Sequence, residues 1–212
     1  MQKFAVFVSG GGTNLQALID AVDSKYIKDG YIEVVFSNRK DAYGLERAIK
    51  HGIKTMFLDP AEFKTPEEYD TYLAQKMNGF GVNLVCLAGY MKILTKAFLD
   101  NFKGKVINIH PALLPSFGGK GYYGLKVHQA VIDHGAKVTG VTVHFVDYGA
   151  DTGPIILQKS VEVGDDDTPE SLQKKVLELE HELYKEAVKL FLQNRLIVNG
   201  RRVRIKPPGP MD

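Results

Sequence analysis

Asn108 and His110 lie two positions apart in a short apolar segment that ends at Pro111. The apolar neighbours predict a strand, and side chains two apart in a strand leave on the same face. An amide can donate to a developing oxyanion and an imidazole can carry a proton, so the pair suits acyl-transfer chemistry. The spacing fits equally well a polar pair satisfied by neighbouring backbone, and both interpretations are open on these residues alone.

Asp151 is a third candidate, in a glycine-rich turn between two segments of alternating pattern. A carboxylate beside an imidazole raises the pKa of that imidazole and fixes its orientation. An Asp in such a turn is more often only a turn former. Position in the sequence therefore supports Asp151 less strongly than Asn108 or His110.

A glycine-rich turn at residues 9–14 joins the first predicted strand to a helical repeat. Backbone N–H groups at a helix N-terminus attract phosphate, and glycines let the backbone approach a ligand closely. Leu15 stands where a dinucleotide fingerprint has its last glycine, and no Gly-Lys-Ser/Thr sequence follows. The pattern favours a monophosphate site over a plain tight turn.

The remaining histidines and the one cysteine predict no metal site. No two histidines have the spacing of metal ligands, and Cys86 lies in an apolar run where burial keeps a thiol unreactive. His144 falls inside a predicted strand, where a satisfied core histidine is favoured over one that supports the site from behind. His128 is predicted to lie on a helix surface.

Short apolar runs alternate with helical repeats in the first half and predict the elements that position these residues. Strands are expected at 3–8, 31–36, 54–58, 82–87 and 105–109, and helices from Leu15 and at 43–51 and 65–77. This order predicts an α/β fold with an open, mostly parallel, twisted sheet and helices on both faces, of the Rossmann-like type. Ligands bind such sheets at the carboxyl ends of the strands, where Asn108 and His110 fall.

The second half changes character. Alternating segments at 138–146 and 155–163 predict an antiparallel hairpin, and a long helix is expected from about Pro169 to Asn194, capped by Asp167 or Thr168. A solvated, partly ordered tail is expected over 201–212. We expect one domain over 1–212, with a phosphate-binding half at 1–104 and a catalytic half at 105–212.

Bulk composition excludes some classes of protein. The chain has 212 residues, with 27 Lys and Arg against 25 Asp and Glu, which is too balanced to indicate a nucleic-acid binder. No apolar stretch approaches the roughly 20 residues of a membrane helix, and the N-terminus does not resemble a signal peptide. With one cysteine, these features predict a soluble cytoplasmic protein, a monomer or homodimer, with neither nucleic acid nor membrane as a partner.

Six segments together resemble the phosphoribosylglycinamide formyltransferases, the folate-dependent enzymes of purine synthesis, over nearly the whole chain. These segments are 9–16, 36–38, 87–94, 108–115, 143–146 and 151–154. The resemblance implies the formyltransferase variant of the Rossmann-like fold. It also implies that the formyl group of 10-formyltetrahydrofolate, a co-substrate, passes to the amine of 5′-phosphoribosylglycinamide (glycinamide ribonucleotide), with no metal.

The resemblance also implies roles for individual residues. The catalytic residues of the family fall on Asn108, His110 and Asp151. Its phosphate loop and a Glu that meets the substrate amine fall on Gly12, Thr13, Asn14 and Glu180. Its folate pocket falls on Met91, Lys92, Ile93, Leu94 and Asn108, and on the turn Asp147, Tyr148, Gly149, Ala150 and Asp151.

The mechanism implied by the resemblance involves no covalent enzyme intermediate. Asn108 and a protonated His110 stabilise the oxyanion, while Asp151 keeps His110 charged and positions a water that passes the proton to the departing folate nitrogen. Two positions depart from the family pattern. Pro66 stands where many members have a basic folate contact, with Lys64 nearby, and Gly119 stands where Pro is common, which predicts a more mobile loop.

Three alternatives remain open on the sequence. A methionyl-tRNA formyltransferase has a similar Asn-x-His site but needs an extra C-terminal domain, which we do not expect here. A formyltetrahydrofolate hydrolase would use water as acceptor and carries an additional N-terminal domain, also not expected. A nucleotide-binding sensor would bind ligands without turnover.

Overall fold

A computed structural model describes residues 1–209, so the last three residues of the expected tail lie outside the described part. The chain divides into two compact units, Met1–Asn108 and Ile109 onward. This division falls close to the predicted change of character near residue 105. The expectation of a single domain stays a prediction.

The first unit is built on a sheet of five parallel strands. The strands are β1 (Gln2–Val8), β2 (Gly30–Ser37), β3 (Thr55–Phe57), β4 (Leu84–Leu87) and β5 (Lys105–His110), which runs on into the second unit. They lie side by side in the order β3-β2-β1-β4-β5. The central strand β1 is buried from Phe4 to Val8, as its continuous apolar run requires when both faces of a sheet are covered.

Four helices accompany this sheet. They are α1 (Thr13–Asp23), α2 (Tyr43–Lys50), α3 (Pro66–Phe80) and α4 (Lys96–Asn101), with a short 3-10 turn at Pro60–Glu62. The start of α3 follows the expected chemistry, since the Thr65 hydroxyl accepts from the N–H of Glu68 and Pro66 occupies the first turn. Gly81, at φ 71°, ends the helix in the left-handed conformation that glycine adopts without strain.

The second unit follows β5 with helix α5 (Leu125–Asp133) and a hairpin of β6 (Val138–Phe145) and β7 (Ile155–Glu162). The hairpin is antiparallel, as predicted, and its register shifts between Val143 and His144. The long helix α6 (Pro169–Leu192) starts with a capping box, in which Thr168 and Ser171 each bond the backbone N–H of the other.

The tail expected to be solvated and partly ordered is exposed over most of its described part, but the sequence did not predict the two strands at the end of the chain. Residues Leu196–Asn199 and Arg202–Ile205 form strands β8 and β9, an antiparallel pair, and β9 joins β7 at Ile155 and Arg202. The turn between them has Gly200 at φ 57°. Apolar residues alternate with arginines here, so strand pairing satisfies the backbone while the charged side chains stay exposed.

The predicted fold class is confirmed: a mixed α/β fold with a mostly parallel sheet and antiparallel pairs in the C-terminal half. Strand and helix ends differ from prediction by one or two residues at most positions. The apolar pattern did not predict helices α4 and α5. No helix within residues 1–209 is both long and apolar enough to cross a membrane.

Candidate active site

His110 ends strand β5, and Asp151 lies in the turn between β6 and β7. Nδ1 of His110 is 3.5 Å from Oδ2 of Asp151, and both side chains are largely buried. The imidazole is thus paired with the carboxylate that the resemblance implied. Asn108 is the last residue of the first unit and lies two positions before His110 on the same strand.

A second imidazole meets the same carboxylate. Nε2 of His144, a buried residue near the end of β6, lies 3.5 Å from Oδ1 of Asp151. His144 is thus a buried, hydrogen-bonded histidine, as the favoured interpretation expected, and it also contacts Asp151 from behind, as the alternative did. The sequence signal that could have found it is its place at the end of a strand that leads into the turn holding Asp151.

The turn that carries Asp151 is held by its own side chains. The Asp147 carboxylate accepts from the N–H of Gly149 and from the Thr152 hydroxyl. Asp151 itself has φ 57°, a left-handed conformation that Asp tolerates better than most residues. The N–H of Gly119 donates to Oδ2 of Asp151 at 2.9 Å and holds the carboxylate from the neighbouring loop.

Two backbone carbonyls fix the tautomers of the imidazoles. Nε2 of His110 lies 2.7 Å from the carbonyl oxygen of Phe117, and Nδ1 of His144 lies 2.8 Å from that of Phe145. A carbonyl oxygen only accepts, so each of these nitrogens carries the proton. The other nitrogen of each ring, Nδ1 of His110 and Nε2 of His144, faces the carboxylate of Asp151.

Burial corrects one expectation about His110. The sequence predicted that Asp151 would raise the pKa of His110. Burial of the ring is the largest influence and lowers this pKa, against the opposing effects of Asp151 and of the bond to Phe117. His110 is accordingly neutral at neutral pH, while the pKa of Asp151 lies below its usual value because the favourable contacts with His144, His110 and Gly119 together exceed the effect of its burial.

His128 corrects a second expectation. It was predicted on a helix surface, but on α5 its side chain is 1% exposed. Nδ1 has no hydrogen-bond partner among the described residues. Burial, together with the nearby His110, lowers the pKa of His128 to about 4. The residue faces inward because the apolar stripe of α5 includes it between Val127 and Val131.

The glycine turn packs closely against α2. Gly12 has φ 70°, and a Cβ on it would lie 2.8 Å from Cα of Gly44. The N–H of Gly44 donates to the carbonyl of Gly10, and Nε of Arg47 donates to that of Gly11. The N-cap residue of α1 is Gly12, which has no side chain to cap the helix. Thr13 and Asn14 form its first turn, an arrangement that suits an anion.

The predicted folate residues fall in two places. In the first unit, residues 91–94 form an irregular segment in which Met91 and Ile93 are 54% and 60% exposed and Leu94 is buried. In the second unit, Asp147, Tyr148, Gly149 and Ala150 precede Asp151 in the turn. Glu180 is half-buried on α6. Among residues 1–209, no group of three or more metal-ligating side chains is placed to hold an ion, and the absence of a metal stays a prediction.

Known proteins resemble this chain in both sequence and structure. The formyl transferase family model matches residues 2–188. Phosphoribosylglycinamide formyltransferase of Escherichia coli K12 is 40% identical over 194 residues, covering 92% of this chain and 89% of that protein. The crystal structure of glycinamide ribonucleotide transformylase 1 from Symbiobacterium toebii has a TM-score of 0.92 at 45% identity, covering 98% of this chain and 95% of that chain.

The chain belongs to the phosphoribosylglycinamide formyltransferases. The family resemblance expected from sequence is confirmed, and with it the expectation of a formyltransferase enzyme of purine biosynthesis. The chloroplastic phosphoribosylglycinamide formyltransferase of Arabidopsis thaliana is 40% identical over 200 residues, which cover 92% of this chain. The chain spans 67% and 62% of the length of this relative and of its counterpart from Vigna unguiculata. Because both are named chloroplastic, a cytoplasmic location stays a prediction.

Proposed function

We propose that this formyltransferase moves the formyl group of 10-formyltetrahydrofolate to the amine of 5′-phosphoribosylglycinamide. The observation that carries the proposal is the contact of His110 with Asp151 at the end of β5, two residues after Asn108. The family match supports a formyl transfer, and the residues that meet are those to which the resemblance assigns catalysis. The products are the formylated nucleotide and tetrahydrofolate.

In the proposed reaction the free amine attacks the formyl carbon and an oxyanion develops on the formyl oxygen. The Asn108 amide and Nε2–H of His110 donate to that oxygen. Because burial keeps His110 neutral at rest, the ring acts first as a hydrogen-bond donor rather than as a cation. The Asp151 carboxylate lies 3.5 Å from Nδ1 of His110 and fixes the orientation in which Nε2–H reaches the oxyanion.

The proton balance is simple. The attacking nitrogen becomes an ammonium, and the departing folate nitrogen needs one proton to leave. Asp151 is ionised, since its pKa is lowered, and it positions a water that carries the proton between the two nitrogens. Collapse of the intermediate re-forms the carbonyl, breaks the bond to folate and leaves the enzyme as it began.

A small loop movement accompanies this chemistry. The proton on Nε2 of His110 is held by the carbonyl of Phe117, so the substrate oxygen must take the place of that carbonyl. Phe117 has φ 50°, a strained conformation for a residue with a Cβ. The neighbouring Gly119 and Gly121 have positive φ and supply the freedom that the exchange requires.

The remaining assignments concern binding. Gly12, Thr13 and Asn14 hold the substrate phosphate at the N-terminus of α1, so that remote binding energy orients the amine. Glu180 lies on the amine side. Residues 91–94 and the turn 147–151 contact the folate, whose aromatic ring suits the exposed side chains of Met91 and Ile93. The basic contact that is replaced by Pro66, the first residue of α3, has no assigned substitute.

Purified protein supplied with both substrates tests the proposal. The assay measures formylated nucleotide and free formate in the same samples. Formylated nucleotide formed in step with tetrahydrofolate supports the proposed transfer. Formate as the main product would indicate a hydrolase, and binding of both ligands without turnover would indicate a sensor.

A further inference from the structure

The segment 91–94 exposes apolar side chains on a backbone that has neither helix nor strand hydrogen bonding. An irregular segment without ladder bonds keeps one conformation only if other groups restrain it. The groups that restrain this segment therefore indicate what the segment does.

Two buried side chains hold the segment at its two ends. Oγ of Ser9 accepts from the N–H of Met91 at 2.9 Å, and Oδ2 of Asp70 accepts from the N–H of Thr95 at 2.6 Å. The Ser9 hydroxyl donates in turn to Oδ1 of Asn38 at 2.6 Å, which leaves its lone pair directed to Met91. Both holding residues are almost completely buried.

A third contact holds the middle of the segment. The ammonium of Lys92 lies over the ring of Tyr69, 5.2 Å from its centroid, on the helix that carries Asp70. Tyr90, immediately before the segment, packs its ring edge-on against Phe7. These contacts restrain Lys92 and Tyr90, while the side chains of Met91 and Ile93 remain exposed to solvent.

Burial of the Asp70 carboxyl is energetically unfavourable. Its side chain is 0% exposed, and burial raises the pKa of the carboxyl. The N–H and the side chain of Thr95, together with the nearby Lys92, lower this pKa and only partly offset the effect of burial. A buried carboxyl destabilises a fold unless hydrogen bonds compensate its burial, so the bond to Thr95 is needed where Asp70 stands.

Asp70 bonds the chain where it enters α4. Thr95 is the N-cap residue of α4, and its N–H is one of the donors that the start of a helix leaves without a partner. Because this N–H directly follows the segment, the bond to Asp70 restrains residues 91–94 as well as the start of α4.

We propose that Asp70 and Ser9 are positioning residues for the formyl donor. They fix the segment 91–94 in the conformation that presents Met91 and Ile93 to the donor ring, so that binding does not have to order the backbone. This inference rests on the proposed function, which assigns the segment to folate. Neither residue touches the reacting atoms.

The test measures KM for the donor, KM for the nucleotide and kcat in Asp70→Ala, Ser9→Ala and Asp70→Asn. Loss of one buried hydrogen bond corresponds to about a tenfold change in binding. We expect about that rise in donor KM for Asp70→Ala and Ser9→Ala, with kcat at saturation nearly unchanged. Asp70→Asn retains an acceptor oxygen for the N–H of Thr95 and is expected to restore the donor KM close to that of wild type.

Met77→Ala is the matched control, since Met77 is buried on the same helix away from the segment. It should lower thermal stability and leave the donor KM unchanged. If Asp70→Ala folds and keeps the wild-type donor KM, or if Met77→Ala raises that KM equally, the inference is overturned. If Asp70→Ala does not fold, the donor KM of Ser9→Ala tests the inference instead.

A different result would refute the proposed function, namely that wild type forms no formylated nucleotide. Direct titration of wild type and variants with tetrahydrofolate distinguishes failure of the inference from failure of the proposed function.

Discussion

Nδ1 of His110 lies 3.5 Å from Oδ2 of Asp151, although helix α5 and strand β6 separate the two residues along the chain. His144 approaches the other oxygen of the same carboxylate at the same distance. One buried anion therefore faces two imidazoles whose other nitrogens are held by backbone carbonyls. The carboxylate and the two carbonyls therefore fix the orientation of both rings at the end of β5.

Asp151→Asn should abolish most turnover while nucleotide affinity changes little. The amide keeps the size of the side chain but lacks the negative charge with which Asp151 positions the water that carries the proton. Steady-state kinetics and nucleotide titration measure the two effects. Asp166→Asn, an exposed acid in the loop before α6, is the control and should behave as wild type. Wild-type turnover in Asp151→Asn would remove Asp151 from the catalytic set.

Asn108→Ala should lower kcat by about 10² to 10³, the usual cost of losing one oxyanion donor. The KM for each substrate should change far less, because the bond is made mainly in the transition state. The exposed Asn83→Ala, also in the first unit, serves as control. Turnover of Asn108→Ala close to wild type would exclude the oxyanion role.

Gly12→Ala should weaken nucleotide binding by about tenfold or more, since the new methyl would meet Gly44 and the backbone has φ 70°. Gly11→Ala is the matched control, because nothing lies within 4 Å of the Cβ position there. Titration with glycinamide ribonucleotide and with its phosphate-free analogue separates the contributions. The two variants should differ for the phosphorylated ligand and bind the analogue alike. Equal affinity of wild type for the two ligands would refute the phosphate site.

His128 predicts a loss of stability in acid. Its pKa falls from 6.5 to about 4 on folding, so between these values the unfolded chain binds more protons and stability decreases as pH falls. The expected contribution is about 2 kcal/mol between about pH 7.5 and about pH 5. Denaturant unfolding at both pH values measures it in wild type and in His128→Asn, whose stability should depend less on pH by that amount. The exposed His134→Asn should retain the wild-type dependence; an unchanged dependence in His128→Asn would contradict the account.

Local patterns predicted much of the fold and part of the site. Apolar runs placed the parallel strands, and strand periodicity placed Asn108 and His110 at a ligand-binding edge. The meeting of Asp151 with His110 and His144 depends on the return of β6 and on a turn closed by Asp147, and such distant contacts leave no mark on spacing. The inward side of His128 follows from packing of α5, which its short pattern did not define.

Two errors of prediction, on strands β8 and β9 and on the pKa of His110, could have been avoided. Asn199-Gly200 between alternating apolar residues is a strong hairpin signal and could have predicted β8 and β9. The pKa of His110 was misjudged because the neighbouring charge was considered without the depth of burial. Burial has the larger effect, since a buried ring loses the water that would stabilise its cationic form.

The most direct test follows a ¹³C-labelled formyl carbon through one turnover, with enzyme in excess over labelled 10-formyltetrahydrofolate and saturating glycinamide ribonucleotide. We predict that the label passes into the formylated nucleotide in wild type and stays on the folate in Asn108→Ala and Asp151→Asn over the same interval. Label recovered mainly as formate from wild type, or transferred equally fast by both variants, would contradict the assignment of this site to formyl transfer.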